Sequence, residues 1–172
     1  MAKLVFRRAE QKDLARIIEI YNQAVRHKIA TDDDHPLTVA DKQDWFDSFN
    51  DHFPIWVIED GGKIVGWVAL EEFFHHPNYA HDAQIAIYFD YHHHQQSLGT
   101  RTLAFIDDQV EHHLPLTTIV SYIFEENIAS QKLFTKCGYQ FVGDLPTIAH
   151  INGQYRTIKT YLKHFDVPII KK

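Results

Sequence analysis

The chain has 172 residues, 45% hydrophobic and 23% charged, a balance that excludes a disordered or fibrous class and suits a globular domain with a sizeable core. Its 23 acidic residues outnumber the 17 Lys and Arg, and the formal net charge of −6 argues against nucleic-acid binding and leaves a neutral or cationic partner. The lone Cys137 excludes an internal disulfide. Lys3, Arg7 and Arg8 interrupt the opening apolar residues and no apolar run reaches membrane-spanning length, so a cytoplasmic protein without a membrane partner is expected.

In chain order, Leu4-Val5-Phe6 reads as a short strand. Asp13 precedes Leu14, Ile17, Ile18, Tyr21, Ala24 and Val25, whose spacing predicts a helix with one apolar face. A polar loop at Thr31–Pro36 follows. Thr38 with Asp41 three residues on resembles a capping box, Asp standing for the usual Glu, and predicts a second helix carrying Trp45, Phe46 and Phe49. Ile55–Glu59 and Lys63–Leu70 flank Asp60-Gly61-Gly62, which predicts a β-hairpin.

Residues 71–82 read as a polar, aromatic-rich loop, followed by a strand near 84–90 and a helix near 97–112. Thr117–Phe124 is a β-branched, aromatic strand, and Ile128–Lys136 a helix that stops at Gly138. Tyr139–Val142 and Tyr155–Leu162 close the chain as strands, linked by a loop containing Asn152-Gly153. The order β-α-α-β-β-β-α-β-α-β-β predicts one mixed α+β domain over residues 1–172.

The segment Ile85–Ile106 is the most informative: an apolar strand, a polar turn with Gly99, then an uninterrupted helix. Such a unit aims unpaired N–H groups and the positive end of a helix dipole at one point, where a phosphate or pyrophosphate can sit. Neither the P-loop nor the dinucleotide glycine pattern is present, and many such crossovers bind nothing, so local chemistry leaves both roles open. Thirteen histidines raise the question of a metal. His75-His76, His92-His93-His94 and His112-His113 are adjacent rather than spaced along a helix face, and no HExxH pattern is present. They read as solvated surface groups, and no metal is expected.

The order of elements and two motifs resemble the GNAT superfamily of N-acetyltransferases. That family's acetyl-CoA motif, Arg/Gln-x-x-Gly-x-Gly/Ala, falls on His94-Gln95-Gln96-Ser97-Leu98-Gly99, where only the last glycine matches. Asn127-x-x-Ser130-x-x-Leu133-Phe134-x-x-x-Gly138-Tyr139 looks like the family's Asn-x-x-Ser-x-x-Leu-Tyr-x-x-x-Gly-Phe. Phe6-Arg7-Arg8-Ala9 to Ile20-Tyr21-Asn22, the gapless stretch Tyr79–Gly99, and Asn152-Gly153-Gln154-Tyr155 resemble the phosphinothricin acetyltransferase branch. The likeness covers essentially the whole chain and implies a mixed, mostly antiparallel central sheet flanked by helices.

The resemblance also implies a site. Acetyl-CoA would be the cosubstrate, lying where two central strands splay apart, its pantetheine arm on Ile87, Tyr88 and Phe89, with the backbone of Ile87 and Phe89 making the pairs. Its pyrophosphate would rest on Gln95, Gln96, Ser97, Leu98, Gly99 and Thr100. Asn127 would bond the pantetheine, while Ser130 would support the cofactor or cap its helix. The acceptor would be a primary amine of a small, amino-acid-like compound, which must lose a proton before attacking the thioester in a ternary complex.

The branch's catalytic base, a glutamate of the central strand, falls on Gln84, which cannot take a proton. Asp82 and Glu72, with His81 and Glu71, are the nearby candidates. The family's tyrosine acid falls on Phe134, and Tyr139, Tyr161 and Cys137 read as core. Arg156 and Thr157 replace the His and Asp of the branch, so phosphinothricin itself is not implied. A homodimer is expected from the branch. Gln84 and Phe134 keep a second reading open, an acetyl-CoA-binding module with weak or lost catalysis.

Overall fold

The computed structural model describes residues 3–28, 30–93 and 97–166. Its elements are β1 (Val5–Arg8), α1 (Leu14–His27), α2 (Val39–Asp47), β2 (Ile55–Asp60), β3 (Lys63–Glu72), β4 (Asp82–Phe89), α3 (Leu98–His112), β5 (Thr118–Phe124), α4 (Ile128–Lys136), β6 (Gln140–Ile151) and β7 (Gln154–His164). This is the expected order, with one-turn 3-10 helices added at Gln11–Asp13 and Pro77–Tyr79. The strand order is β1-β2-β3-β4-β5-β7-β6. β4 and β5 are parallel, while β1–β2, β2–β3, β5–β7 and β6–β7 are antiparallel, the mixed and mostly antiparallel arrangement that the resemblance implies. The chain forms two compact units, residues 1–70 with 86–95 and residues 71–85 with 96–172, and the division falls inside β4.

In the first unit, α1 buries Ile17, Ile20, Tyr21 and Val25 against Ile55 and Val57 of β2 and Trp67 and Ala69 of β3. Burying each large side chain contributes about 1.5–3 kcal/mol, so this one face outweighs any helix propensity. Trp45, Phe46 and Phe49 pack on the same cluster, although α2 ends at Asp47 and Phe49 lies in the turn beyond it. The Thr38 capping box forms as expected: Thr38 Oγ1 accepts the Asp41 N–H at 3.3 Å, and Asp41 accepts the Thr38 N–H at 2.7 Å. Asp13 does not cap α1 with its side chain. Its carboxylate takes the Glu10 N–H at 2.8 Å and two N–H groups of Arg7, at 2.7 and 3.0 Å.

The second unit carries the hairpin of β6 and β7 beside β5. Leu103, Ile106 and Val110 of α3 are buried, as are Ile119, Val120, Ile123 and Phe124 of β5. β6 runs to Ile151, well past the Tyr139–Val142 that the pattern predicts. Register shifts between Phe141 and Gly143 and between Leu145 and Ala149 break the two-residue alternation, and Pro146 falls within the second. That hides the strand from a periodicity argument.

Candidate active site

β4 carries two of the sequence-predicted catalytic residues, Asp82 and Gln84. Its parallel ladder with β5 comprises three positions, Asp82↔Thr118, Ala83↔Ile119 and Gln84↔Val120. Ala83 and Ile85 are buried, so Asp82 and Gln84 project together from the opposite, half-buried face, about 6.6 Å apart along the strand. Glu72 is exposed at the end of β3, with a carboxylate oxygen 3.0 Å from His75 Nδ1. The strand thus brings Asp82 to the side of Gln84, whereas Glu72 is engaged by a neighbour in its own loop.

The second half of β4 belongs to the first unit, and its backbone direction is readable. The Asp90 N–H donates to the Val65 carbonyl of β3 at 2.8 Å. The Tyr88 carbonyl also lies on that side, 2.9 Å from where a side chain on Gly66 would begin. Backbone groups alternate along a strand, so Ile87 and Phe89 turn theirs away from β3. Tyr88 does not share that direction. Its hydroxyl donates to the Ala30 carbonyl at 2.8 Å, and its ring packs on Tyr21 and Trp67 with centroids 5.1 and 4.9 Å away.

A polar network, missed in the sequence, fixes the end of this strand. The Arg16 guanidinium donates to Asp90 Oδ2 and to the Ile64 carbonyl. Gln23 Nε2 and the His92 N–H both donate to Asp90 Oδ1, at 3.1 and 2.9 Å. Gln23 Oε1 in turn accepts the Tyr91 N–H at 2.7 Å. Burial pushes the Asp90 carboxyl up, but the bonds from His92, Arg16 and Gln23 together hold it below the usual carboxylate range. Two polar residues seven apart, Arg16 and Gln23, along one edge of the apolar stripe of α1 were the available signal. His93 Nε2 lies 3.1 Å from Asp60 Oδ2.

At the start of α3, Ser97 precedes the first helical residue in a left-handed conformation, φ 65° and ψ 10°, and its side chain makes no capping bond. Its carbonyl accepts the Arg101 N–H at 2.9 Å. Ser97 therefore holds the backbone shape usually given to glycine, the residue that the family motif has there. Leu98 is buried, and Gly99 and Thr100 complete the first turn, whose N–H groups have no partners within the helix. Gly99 also has a packing role that the sequence did not reveal: a Cβ there would lie 2.6 Å from Leu133 Cδ2 of α4. Gln95 and Gln96, like His94, lie outside the described residues.

Asn127 caps α4, its side chain accepting the Ser130 N–H at 3.1 Å. The cap is thus Asn127, and Ser130 supplies the donor. Phe134 is 2% exposed, its ring edge-on to Tyr139 with centroids 4.8 Å apart. Burial, with Asp107 nearby, pushes the Tyr139 phenol far above its ordinary range, so both residues serve the core. The histidines go to separate partners, His75 to Glu72, His93 to Asp60 and His112 to Asp108. Among the described residues no three His, Cys, Asp or Glu side chains converge as metal ligands.

Residues 3–140 match the acetyltransferase (GNAT) domain model, and the chain belongs to that family of N-acetyltransferases. YwnH of Bacillus subtilis (strain 168), whose name carries a provisional phosphinothricin acetyltransferase assignment, is 30% identical over 91% of this chain and 96% of its own. An L-methionine sulfoximine/L-methionine sulfone acetyltransferase of Salmonella typhimurium is 23% identical, over 88% of this chain and 89% of its own. Among solved structures, yncA of Salmonella typhimurium, with its cofactor acetyl-CoA, superimposes with a TM-score of 0.85 at 22% identity, covering 95% of this chain and 94% of that one. No helix among the described residues is long and apolar enough to cross a membrane.

Proposed function

We propose that this protein transfers the acetyl group of acetyl-CoA to the primary amine of a small, amino-acid-like compound, by direct attack in a ternary complex. The observation that carries the reading is the backbone of Ile87 and Phe89 turned away from β3. Such a strand edge can pair with the amides of a pantetheine arm as it would with another strand. The pyrophosphate is assigned to N–H groups of Ser97, Leu98, Gly99 and Thr100, together with Gln95 and Gln96. The left-handed Ser97 supports this, because the contact there comes from backbone. Asn127 uses one lone pair of its oxygen for the helix cap, and its contact with the cofactor is assigned to Nδ2. The relatives named for L-methionine sulfoximine support an amino-acid-like acceptor.

Gln84 cannot accept the amine proton. Asp82, two residues away on the same face, is assigned as the base, directly or through one water, with Glu72 the second candidate. Phe134 supplies no proton to the leaving thiolate, so alignment carries much of the rate. Gln84 and Phe134 also favour the second reading, a cofactor-binding module with weak turnover. The proposed setting is the cytoplasm. A homodimer is supported by Phe141, Val142, Leu145 and Ile148, all exposed on the terminal strand β6.

Thermal denaturation with and without acetyl-CoA, followed by a panel of amino acids and amines assayed for free CoA, tests the reading. At a hundredfold excess over Kd, acetyl-CoA should add about 2.7 kcal/mol of stability. Binding with CoA release on one acceptor class is the expected result. Binding without release on any amine supports the module, and no binding overturns both.

A further inference from the structure

The Asp90 network does more than close a helix onto a sheet. We infer that Asp90 is a positioning residue for acetyl-CoA: clamped by Arg16 and Gln23 of α1, it sets the direction in which Ile87 and Phe89 present their backbone groups. The inference rests on the proposed role of those two residues as the pantetheine edge. Three features support it.

First, the bonds are placed at the exit of the strand. The Asp90 N–H is tied to Val65, its carboxylate to α1, and the next two N–H groups to Gln23 and back to Asp90. A strand end held by one ladder bond frays, whereas this one is pinned from the sheet and from the helix together. Second, the pieces are chemically specific. Asp90 accepts from a guanidinium, an amide and a backbone N–H through two oxygens, and the Gln23 amide donates to Asp90 while accepting from Tyr91. Leucine at position 23 would fill the space and make none of these bonds. Third, half-buried Arg16 and buried Gln23 place polar groups along the flank of the α1 face that buries Ile17, Ile20 and Tyr21. Apolar residues there would serve stability alone, since burying charged groups seldom exceeds what hydrophobic packing gives.

The test is acetyl-CoA affinity by calorimetric titration, with melting temperature measured alongside. Asp90→Ala should weaken acetyl-CoA roughly tenfold or more, the scale on which misplacement of binding groups acts. Asp90→Asn retains an oxygen for the His92 N–H and should recover part of the loss. Asp13→Asn breaks a different ion pair of the same unit, that with Arg7, and should lower the melting temperature without changing acetyl-CoA affinity. If Asp90→Ala does not fold, Gln23→Leu removes two of these bonds from the helix side, that to Asp90 Oδ1 and that from the Tyr91 N–H, and should show the same selective weakening at smaller size. Unchanged affinity in the folded Asp90 or Gln23 variants, or an equal loss in Asp13→Asn, would overturn the positioning role while unsubstituted protein still binds. Failure of the unsubstituted protein to bind acetyl-CoA would instead overturn the site reading beneath it.

Discussion

Gly66→Ala is the most direct probe of how closely β3 and the second half of β4 approach. A Cβ at position 66 would meet Phe89 Cδ1 at 2.7 Å, the Tyr88 carbonyl oxygen at 2.9 Å and Ile58 Cδ1 at 3.3 Å. Carbon atoms rest at about 3.5–4.0 Å, so the Phe89 ring must move by roughly 1 Å. That ring can turn. The Tyr88 carbonyl cannot move freely, because two residues later the chain is bonded to Val65 and to α1. Overpacking of this kind costs about 1–3 kcal/mol, and alanine recovers about 0.5–1 kcal/mol over glycine within a strand. The net expectation is a loss of about 1–2 kcal/mol, or about 2–8 °C in Tm for a chain of this size. Urea denaturation should show a lower midpoint with an unchanged slope, and acetyl-CoA should bind more weakly because Tyr88 and Phe89 shift. A variant as stable as the parent, or more stable, would refute the close approach.

Ser97→Gly should relieve the left-handed backbone. The strain is about 1–2 kcal/mol and glycine's extra freedom when unfolded cancels part of it, so a gain of up to about 1 kcal/mol by calorimetry is expected with acetyl-CoA affinity retained. Gln84→Glu should raise the turnover of whichever amine is acetylated, read as CoA release; no change would remove position 84 from the search for a base. Arg7 holds the Asp13 carboxyl below the usual range, so their pair stabilises the fold above the unfolded value of about 3.8, and that contribution disappears as pH falls through the lower folded value. Asp13→Asn should therefore cost about 1–3 kcal/mol at pH 7, with the difference from the parent shrinking below about pH 4 in acid denaturation. Thr38→Ala should cost about 1 kcal/mol through loss of the α2 cap, measurable by the same denaturation.

Where local chemistry dictates structure, the sequence could be read closely. The paired glycines of Asp60-Gly61-Gly62 adopt φ 57° and 79°, the Thr38–Asp41 box forms, and the apolar stripe of α1 faces the sheet. The resemblance singled out the backbone of Ile87 and Phe89, but that Tyr88 faces the other way rests on the direction of the Asp90 N–H and the Tyr88 carbonyl, which no side-chain pattern encodes. Gly99 resembled a phosphate glycine, yet its contact with Leu133 depends on two helices 34 residues apart in sequence. Arg16, Gln23 and Asp90 escaped notice for the same reason, since their meaning lies in a junction between α1 and the end of β4. Asp13 showed the converse: its carboxylate serves the 3-10 turn before α1, by accepting the Glu10 N–H, and the two charged donors of Arg7, and it leaves the start of α1 without a side-chain cap.

The irregular course of β6 bears on how the molecule behaves when concentrated. A straight, twelve-residue outermost strand would offer a template onto which further molecules could stack without end. Pro146 withholds an amide hydrogen, and the two register breaks bend the remaining segments away from one line. Only short stretches can then pair with another chain, which favours closed, finite association over fibre growth.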